Sequence, residues 1–297
     1  MVLENKVPFI YTVKEVKFDL IVVLLVGIVT NILTISFSHL LPEMPLSIPA
    51  LLGTAISILL SFKMNQSYDR WWEARKVWGA IVNDSRTFIL QLQTFLPAVQ
   101  KEAITRMAYR QIAWCYTLGR SLRGLDATEG IDKFISENEH AHVLRHSNKP
   151  LAIVQLNAKE LKELRSQNNL ETFTHVQLDN TLVRLVESMG RAERINSTVF
   201  PSAYRQFLHY AVFLFIITLS IALKQVNMIF EIPLLLAIAL AFFLIEKSAY
   251  HLQNPFRNRP SDIPVTAIAR TIEINIRQLL GEQEVPEPVQ PTGFYIL

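Results

Sequence analysis

The stretch AISILLSFKMNQSYDRWWEARKVWGAI, Ala55 to Ile81, opens as an apolar helix and turns polar at Lys63 with no turn signal. No Gly or Pro interrupts it before Gly79. It reads as one helix that leaves a bilayer and carries on through water. The fold turns on why it should do so.

Composition bounds the setting. The chain has 297 residues, half of them hydrophobic and 19% charged. That is enough for a membrane domain and a water-facing part. Cys115 is the single cysteine, so no intramolecular disulfide framework exists, in keeping with a reducing cytoplasm. The formal net charge of +3 gives no reason to expect nucleic-acid binding. The opening MVLENKVPFIYTVKEVKF lacks the basic start, apolar core and small-residue cleavage site of a signal peptide.

Four segments read as spans: Asp19 to Leu41, Leu46 to Phe62, Phe207 to Leu223 and Phe230 to Ile245. About 20 apolar residues cross a bilayer, so the second and fourth are short unless they continue as helix beyond it. Charge sets the orientation. Three Lys or Arg precede the first span, 20 lie from Lys63 to Arg205, and five follow the fourth span. Lys224 alone falls in the short loop after the third. With both hairpin loops outside, 28 of 29 basic residues lie on one side, as the positive-inside rule requires. The expected organisation is a cytosolic N-terminal segment over 1–18, two spans within 19–62 and a cytosolic helical domain over 63–205. Two further spans within 206–250 and a cytosolic C-terminal segment over 251–297 complete it. The fold class is an all-α membrane protein with four transmembrane helices plus a cytosolic helical domain.

The middle segment has helical patterning. Leu178, Leu182, Leu185 and Met189 form a stripe for burial. Gly119, Gly124 and Gly130 punctuate it, and ISENEHAHVLRHSNKP reads as a polar connection. Its 20 basic and 15 acidic residues describe a solvated surface rather than an electrostatic funnel.

Ala50, Thr54, Ser57 and Ser61 form a small, partly polar stripe along the second span. Small residues in spans commonly let helices pack closely. The other reading is a pore face. Thr54, Ile58 and Phe62 lie four apart, so each step turns about 40° and rises about 6 Å. A tilted helix can keep all three toward one axis, and a pore-lining helix can run on because water waits at its end. Spacing alone leaves both readings open.

SYDRWWEARKVWG resembles the signature of the bestrophin family, including its bacterial branch. ERINSTVFPSAYRQFLHYAVFLF, NPFRNRPSDIPV and IARTIEINIRQLL resemble three further family blocks, in the same order, within residues 15 to 281. The resemblance implies a homopentamer of four-span subunits around one axial pore, with a narrow apolar neck on the second span and a lower constriction in a cytosolic vestibule. Arg70, Trp71, Trp72 and Glu73 carry one motif, and Asn254, Pro255, Phe256 and Asp262 another. Counted from Arg70 and Trp71, the neck positions fall on Thr54, Ile58 and Phe62. Thr54 stands where the family has an apolar residue, so its ring should be wetter. The lower constriction, or cytosolic aperture, maps to Phe173. Eukaryotic members bind calcium at an acidic cluster after Asn-Pro-Phe. Here Arg257, Asn258, Arg259 and Pro260 follow, leaving Asp262 as the lone carboxylate. Calcium takes six to eight oxygens, several from carboxylates, so no calcium clasp is expected.

Other candidates are weaker. His140, His142 and His146 cluster, but in a polar connection they read as solvated side chains rather than a metal site. Trp71 and Trp72 read as vestibule packing or headgroup anchors. Asn65, Asn83 and Asn196 head N-x-[ST] sequons on the expected cytoplasmic side, where glycosylation would not occur. Glu246, at the end of the fourth span, reads as snorkelling or paired. No catalytic or dinucleotide-binding motif appears, so no catalytic residue, cofactor or resident metal is expected.

The function expected is a channel for small monovalent ions in the bacterial inner membrane, with both termini cytoplasmic. Its partners would be its own copies, the lipid bilayer and the permeating ions, and not nucleic acid. The resemblance carries both selectivities, anions from eukaryotic members and monovalent cations from the bacterial branch. The alternative is a secondary transporter or membrane-embedded enzyme. Such proteins usually carry ionisable groups at mid-membrane. The spans read as free of buried charge, with only His39 and His209 within or at the end of one.

Overall fold

A computed structural model describes residues 1–2, 7–37, 44–198, 201–224 and 226–297. Among the described residues ten α-helices follow one another: α1 Phe9–Glu15, α2 Lys17–Ser36, α3 Ser47–Phe95, α4 Lys101–Leu122, α5 Glu137–Leu144, α6 Lys149–Ser166, α7 Thr172–Ser197, α8 Ser202–Ala222, α9 Met228–Gln253 and α10 Val265–Leu279. Among the described residues extended pairing is confined to isolated bridges at Val2, Thr292 and Tyr295, so the protein is all-α. Helices α2, α3, α8 and α9 are long and apolar enough to cross a membrane.

The continuity of α3 carries the architecture. It holds 49 residues without a break and passes straight through Gly79. At 1.5 Å per residue it is about 70 Å long, more than twice the ~30 Å hydrocarbon thickness of a bilayer. A helix of that length, apolar to Phe62 and charged from Lys63 to Arg86, has to leave the membrane. The fourth span also outruns its apolar stretch, since α9 continues to Gln253, eight residues past Ile245.

The chain divides into two compact units. One spans Glu4–Trp71 and Val199–Asn254 and holds α1, α2, α8, α9 and the first half of α3. Helices α2, α8 and α9 pack against one another. Ile56 and Leu60 of α3 join them in a core with Val23, Leu208, Val212, Ile216, Leu235 and Phe243. Gly53 lets α3 approach α8, because a Cβ there would stand 3.0 Å from the Phe215 ring.

The other unit holds Trp72–Thr198, Pro255–Leu297 and the first residues of the chain. Helix α4 packs on α6 and α10, and α7 on α6. Trp78, Ile81, Phe88, Trp114 and Ile112 are fully buried there. Leu178, Leu182, Leu185 and Met189 of α7 are all buried, as their spacing predicts. Two expectations need correction. ISENEHAHVLRHSNKP is not a simple connection. Ser136 and Glu139 form a reciprocal capping box that starts α5, and Asn148 caps α6. The capping pattern Ser-x-x-Glu was present in the sequence, masked by its polarity. Gly119 is not a break either. It lies inside α4, where a Cβ would stand 3.5–3.6 Å from Trp78 and Val265. Gly124 and Gly130 do sit in turns, with φ of +70° and +76°.

Candidate functional site

The spanning half of α3 has two distinct faces. Gly53, Ile56, Leu60, Lys63 and Ser67 point into the unit and are buried. Their spacing of three and four residues is the inward stripe of an amphipathic helix. Thr54, Ile58 and Phe62 lie on another face and are exposed, Ile58 to 53% and Phe62 to 62%. Ala50, Ser57 and Ser61 are exposed too, so the small-residue stripe does not pack within the chain. That packing role falls to Gly53. The Thr54 hydroxyl donates to the Ala50 carbonyl at 2.8 Å. Both of its acceptor lone pairs remain for water, while Ile58 and Phe62 offer no polar group.

Phe173, at the start of α7, is 85% exposed, far more than is usual for a large aromatic. Val176 and Val183 continue that apolar face.

The signature residues take mixed places. Trp72 is 47% exposed, Arg70 and Trp71 half-buried, and Tyr68 stacks on Trp71 with ring centroids 6.2 Å apart. Glu73 pairs with Lys76 one turn on, at 2.6 Å. In the second motif, Asn254 caps α9 and donates to the Tyr250 carbonyl at 3.2 Å. Phe256 and Asp262 are each 1% exposed. Asp262 Oδ2 accepts from the backbone N–H of Arg257 and of Arg259, which closes the turn. Burial pushes the Asp262 carboxyl above its ordinary value, against those two N–H groups and the charges of Arg259 and Arg123. One carboxylate already committed to backbone, with two guanidinium charges acting on it, does not fit a calcium site.

The histidines resolve simply. His142 and His146 rings lie 4.4 Å apart on successive turns, His142 contacts Gln155, and His146 Nδ1 contacts the His142 carbonyl. Among the described residues no three His, Cys, Asp or Glu side chains converge as a metal site. His39 lies outside the described residues. Cys115 is fully buried, and burial pushes its thiol up to about 12.

The reading of the spans as free of buried charge is overturned. Glu231, in the first turn of α9, is 0% exposed. It accepts from Asn31 Nδ2 of α2 at 2.8 Å and from Ser220 Oγ of α8 at 2.7 Å. Ser220 Oγ lies 2.6 Å from Thr30 Oγ1. The carboxylate is a polar knot joining three helices, with its hydrogen bonds satisfied. Asn31 inside the first span and Glu231 at the edge of the fourth were the visible signal. Lone polar residues in two spans that meet pair with each other. Glu246 is also mostly buried, and contacts His209 Nδ1 at 3.2 Å rather than snorkelling.

The comparisons with known proteins converge. The family model described as Bacterial/Fungal Bestrophin protein matches residues 11–278. A voltage-dependent anion channel-forming protein of Escherichia coli K12 is 30% identical over 262 residues, covering 88% of this chain and 85% of that protein. A protein of the same descriptive name in Ralstonia nicotianae is 27% identical over 249 residues, covering 83% and 81%. The crystal structure of a bacterial bestrophin homolog from Klebsiella pneumoniae matches with a TM-score of 0.85 at 29% identity, covering 91% of this chain and all of that one.

Proposed function

This chain belongs to the bestrophin family, in its bacterial and fungal branch, and on that premise we propose that it is a homopentameric channel for small monovalent ions. Thr54, Ile58 and Phe62 from each copy form a neck, and Phe173 forms a cytosolic aperture. Residues 63–205 and 251–297 lie in the cytoplasm with both termini, and the spans lie in the bacterial inner membrane. The observation that carries this reading is the exposed face of α3: two large apolar side chains and a threonine, left unburied by the described residues, on a helix long enough to span a membrane and continue beyond it. Exposed apolar side chains also face lipid, as on α2; the run of α3 beyond bilayer length is what favours a ring of copies, with this face as the wall of a pore.

The role is conduction, not catalysis. A ring of Ile and Phe holds no reacting group and no fixed charge. It lets ions through by size and by the cost of wetting the neck. The names of the Escherichia coli and Ralstonia relatives specify anions, and the proposal takes anions as the preferred cargo. The neck enforces that choice weakly. The transporter alternative now draws on Glu231, but that carboxylate is closed off from solvent and held by two donors. It therefore favours a helix tie over a proton or substrate relay.

Purified protein in a planar bilayer tests the reading. Unitary current steps are expected, with a reversal potential under a potassium chloride gradient on the chloride side of zero but short of the chloride limit. A carrier would give no unitary steps. A reversal potential on the potassium side would assign the channel to cations.

A further inference from the structure

A cavity of about 370 Å³ opens among α2, α8 and α9, and conduction makes no use of it. Asp19, Arg205, His209, Glu246, Lys247 and Tyr250 line it. Asp19 lies in the first turn of α2, Arg205 and His209 in the first turns of α8, and the other three in the last two turns of α9. These are the helix ends where apolar sequence gives way to charge, so the cavity stands at the level of lipid headgroups.

Its charges are separated rather than cancelled. His209 stands between the two acids, with Nδ1 3.2 Å from Glu246 and Nε2 3.8 Å from Asp19. Arg205 lies over the Tyr250 ring, its guanidinium carbon 5.0 Å from the centroid. Among the described residues, neither Arg205 nor Lys247 forms an ion pair with either carboxylate. Lys63 lies behind the wall, 1% exposed, an electrostatic neighbour of Glu246 and Arg205 that does not line the cavity.

We propose that this cavity binds the headgroup of a phospholipid that carries both a phosphate and a primary ammonium. Two acids and two bases line the space, with His209 between the acids, so the lining presents both signs of charge. A lining of both signs recognises a zwitterion better than it does an anionic lipid, for which two carboxylates are repulsive. Arg205 and Lys247 offer N–H donors to the phosphate, Arg205 in a fork that matches its oxygens. Asp19 and Glu246 accept from the ammonium. A quaternary ammonium of similar charge has no N–H to give them, so the site discriminates a primary ammonium from a choline group. Aliphatic chains would extend from the headgroup into the surrounding bilayer.

Lipid binding to the purified full-length protein in detergent tests this, read by native mass spectrometry and by melting temperature. Phosphatidylethanolamine, phosphatidylcholine and phosphatidylglycerol with identical chains are titrated, alongside soluble O-phosphoethanolamine. Saturable binding of one phosphatidylethanolamine per chain is expected, at least tenfold tighter than either other lipid, with a raised melting temperature. The double variant Arg205→Gln/Lys247→Gln should lose that preference. Lys247→Gln alone should weaken it, which keeps the test open if the double variant folds poorly. Equal or tighter binding of phosphatidylglycerol would reduce the cavity to a basic patch and overturn the proposal. Equal binding of phosphatidylcholine, or an unchanged preference in the variants, would do the same. Binding of O-phosphoethanolamine with no saturable lipid would overturn the lipid assignment in favour of a soluble ligand. No saturable binding of any probe would overturn it as well, leaving the cavity to be covered by a neighbouring copy. None of these readouts depends on ion conduction, so their failure is distinct from failure of the channel reading.

Discussion

Ile58 and Phe62 expose 53% and 62% of their surface on α3, while Ile56 and Leu60 beside them are 3% and 1% exposed. Two neighbouring faces of one helix therefore have opposite destinations. If the exposed face lines a pore, Ile58→Ala or Phe62→Ala widens and wets the ring, and unitary conductance rises. The melting temperature of the assembly then changes little. If the face packs against another subunit's helix, the same truncations leave cavities costing about 2–5 kcal/mol, and stability falls without a gain in current. The first outcome is expected. Single-channel recording and thermal unfolding of each variant separate them. Loss of stability with unchanged conductance would place both side chains in an interface.

At the scale of elements, α4, α5 and α6 are joined by charge rather than by grease alone. Arg110 of α4 is 7% exposed and bridges Glu139 of α5 and Glu160 of α6, the latter at 3.1 Å. Arg106 also pairs with Glu160. Burial pushes the Glu139 carboxyl up, but the Ser136 backbone N–H and Arg110 outweigh it and hold it below its ordinary value. Burial likewise opposes Glu160, which Arg106 and Arg110 hold low. Both folded values lie below the ordinary 4.5, so the stabilisation is complete above about pH 4.5 and is lost as pH falls through the folded values. Arg110→Ala leaves Glu139 with its Ser136 hydrogen bonds and Glu160 with Arg106, and should cost about 2–3 kcal/mol. In that variant the acid-side loss should also shrink, because one of the groups that hold both carboxyls low is gone. Urea unfolding of wild type and variant at pH 7 and pH 4 measures both effects. A wild type whose stability does not fall at pH 4 would contradict the expected sign.

For the whole molecule, the channel reading sets four helices apolar enough to span a membrane and the exposed α3 face in a ring of copies. A pentamer is expected by native mass in mild detergent, and a monomer or dimer would remove the basis for an axial pore. Calcium should have no effect. The turn after Pro255 holds Asp262 as its carboxylate, bound to the N–H groups of Arg257 and Arg259, with basic residues where oxygen ligands would be needed. Addition or chelation of micromolar calcium should leave current unchanged. Reversible activation would mean that ligands converge from elsewhere in the assembly.

The sequence by itself determined four helices long and apolar enough to span a membrane, the helical character of the middle segment, and the family. Each rests on information local in the chain: apolar length, charge counts in the flanks, and motif residues in order. It also determined that α3 continues past Lys63, since nothing between Ala55 and Gly79 can stop a helix. Only the tertiary structure decided which face of α3 is buried. A helix spacing puts Gly53, Ile56 and Leu60 on one side and Thr54, Ile58 and Phe62 on another, but it does not say which side meets α8. The Phe215 ring 3.0 Å from a Cβ at Gly53 does. The same holds for the buried acids. Glu231 and Glu246 look like charges at span ends, where water is near. Their partners Asn31, Ser220 and His209 lie 200, 11 and 37 residues away, so only packing of α2, α8 and α9 brings them together. A buried carboxylate is stable only where such partners converge, and convergence is a property of three dimensions, not of spacing along one chain.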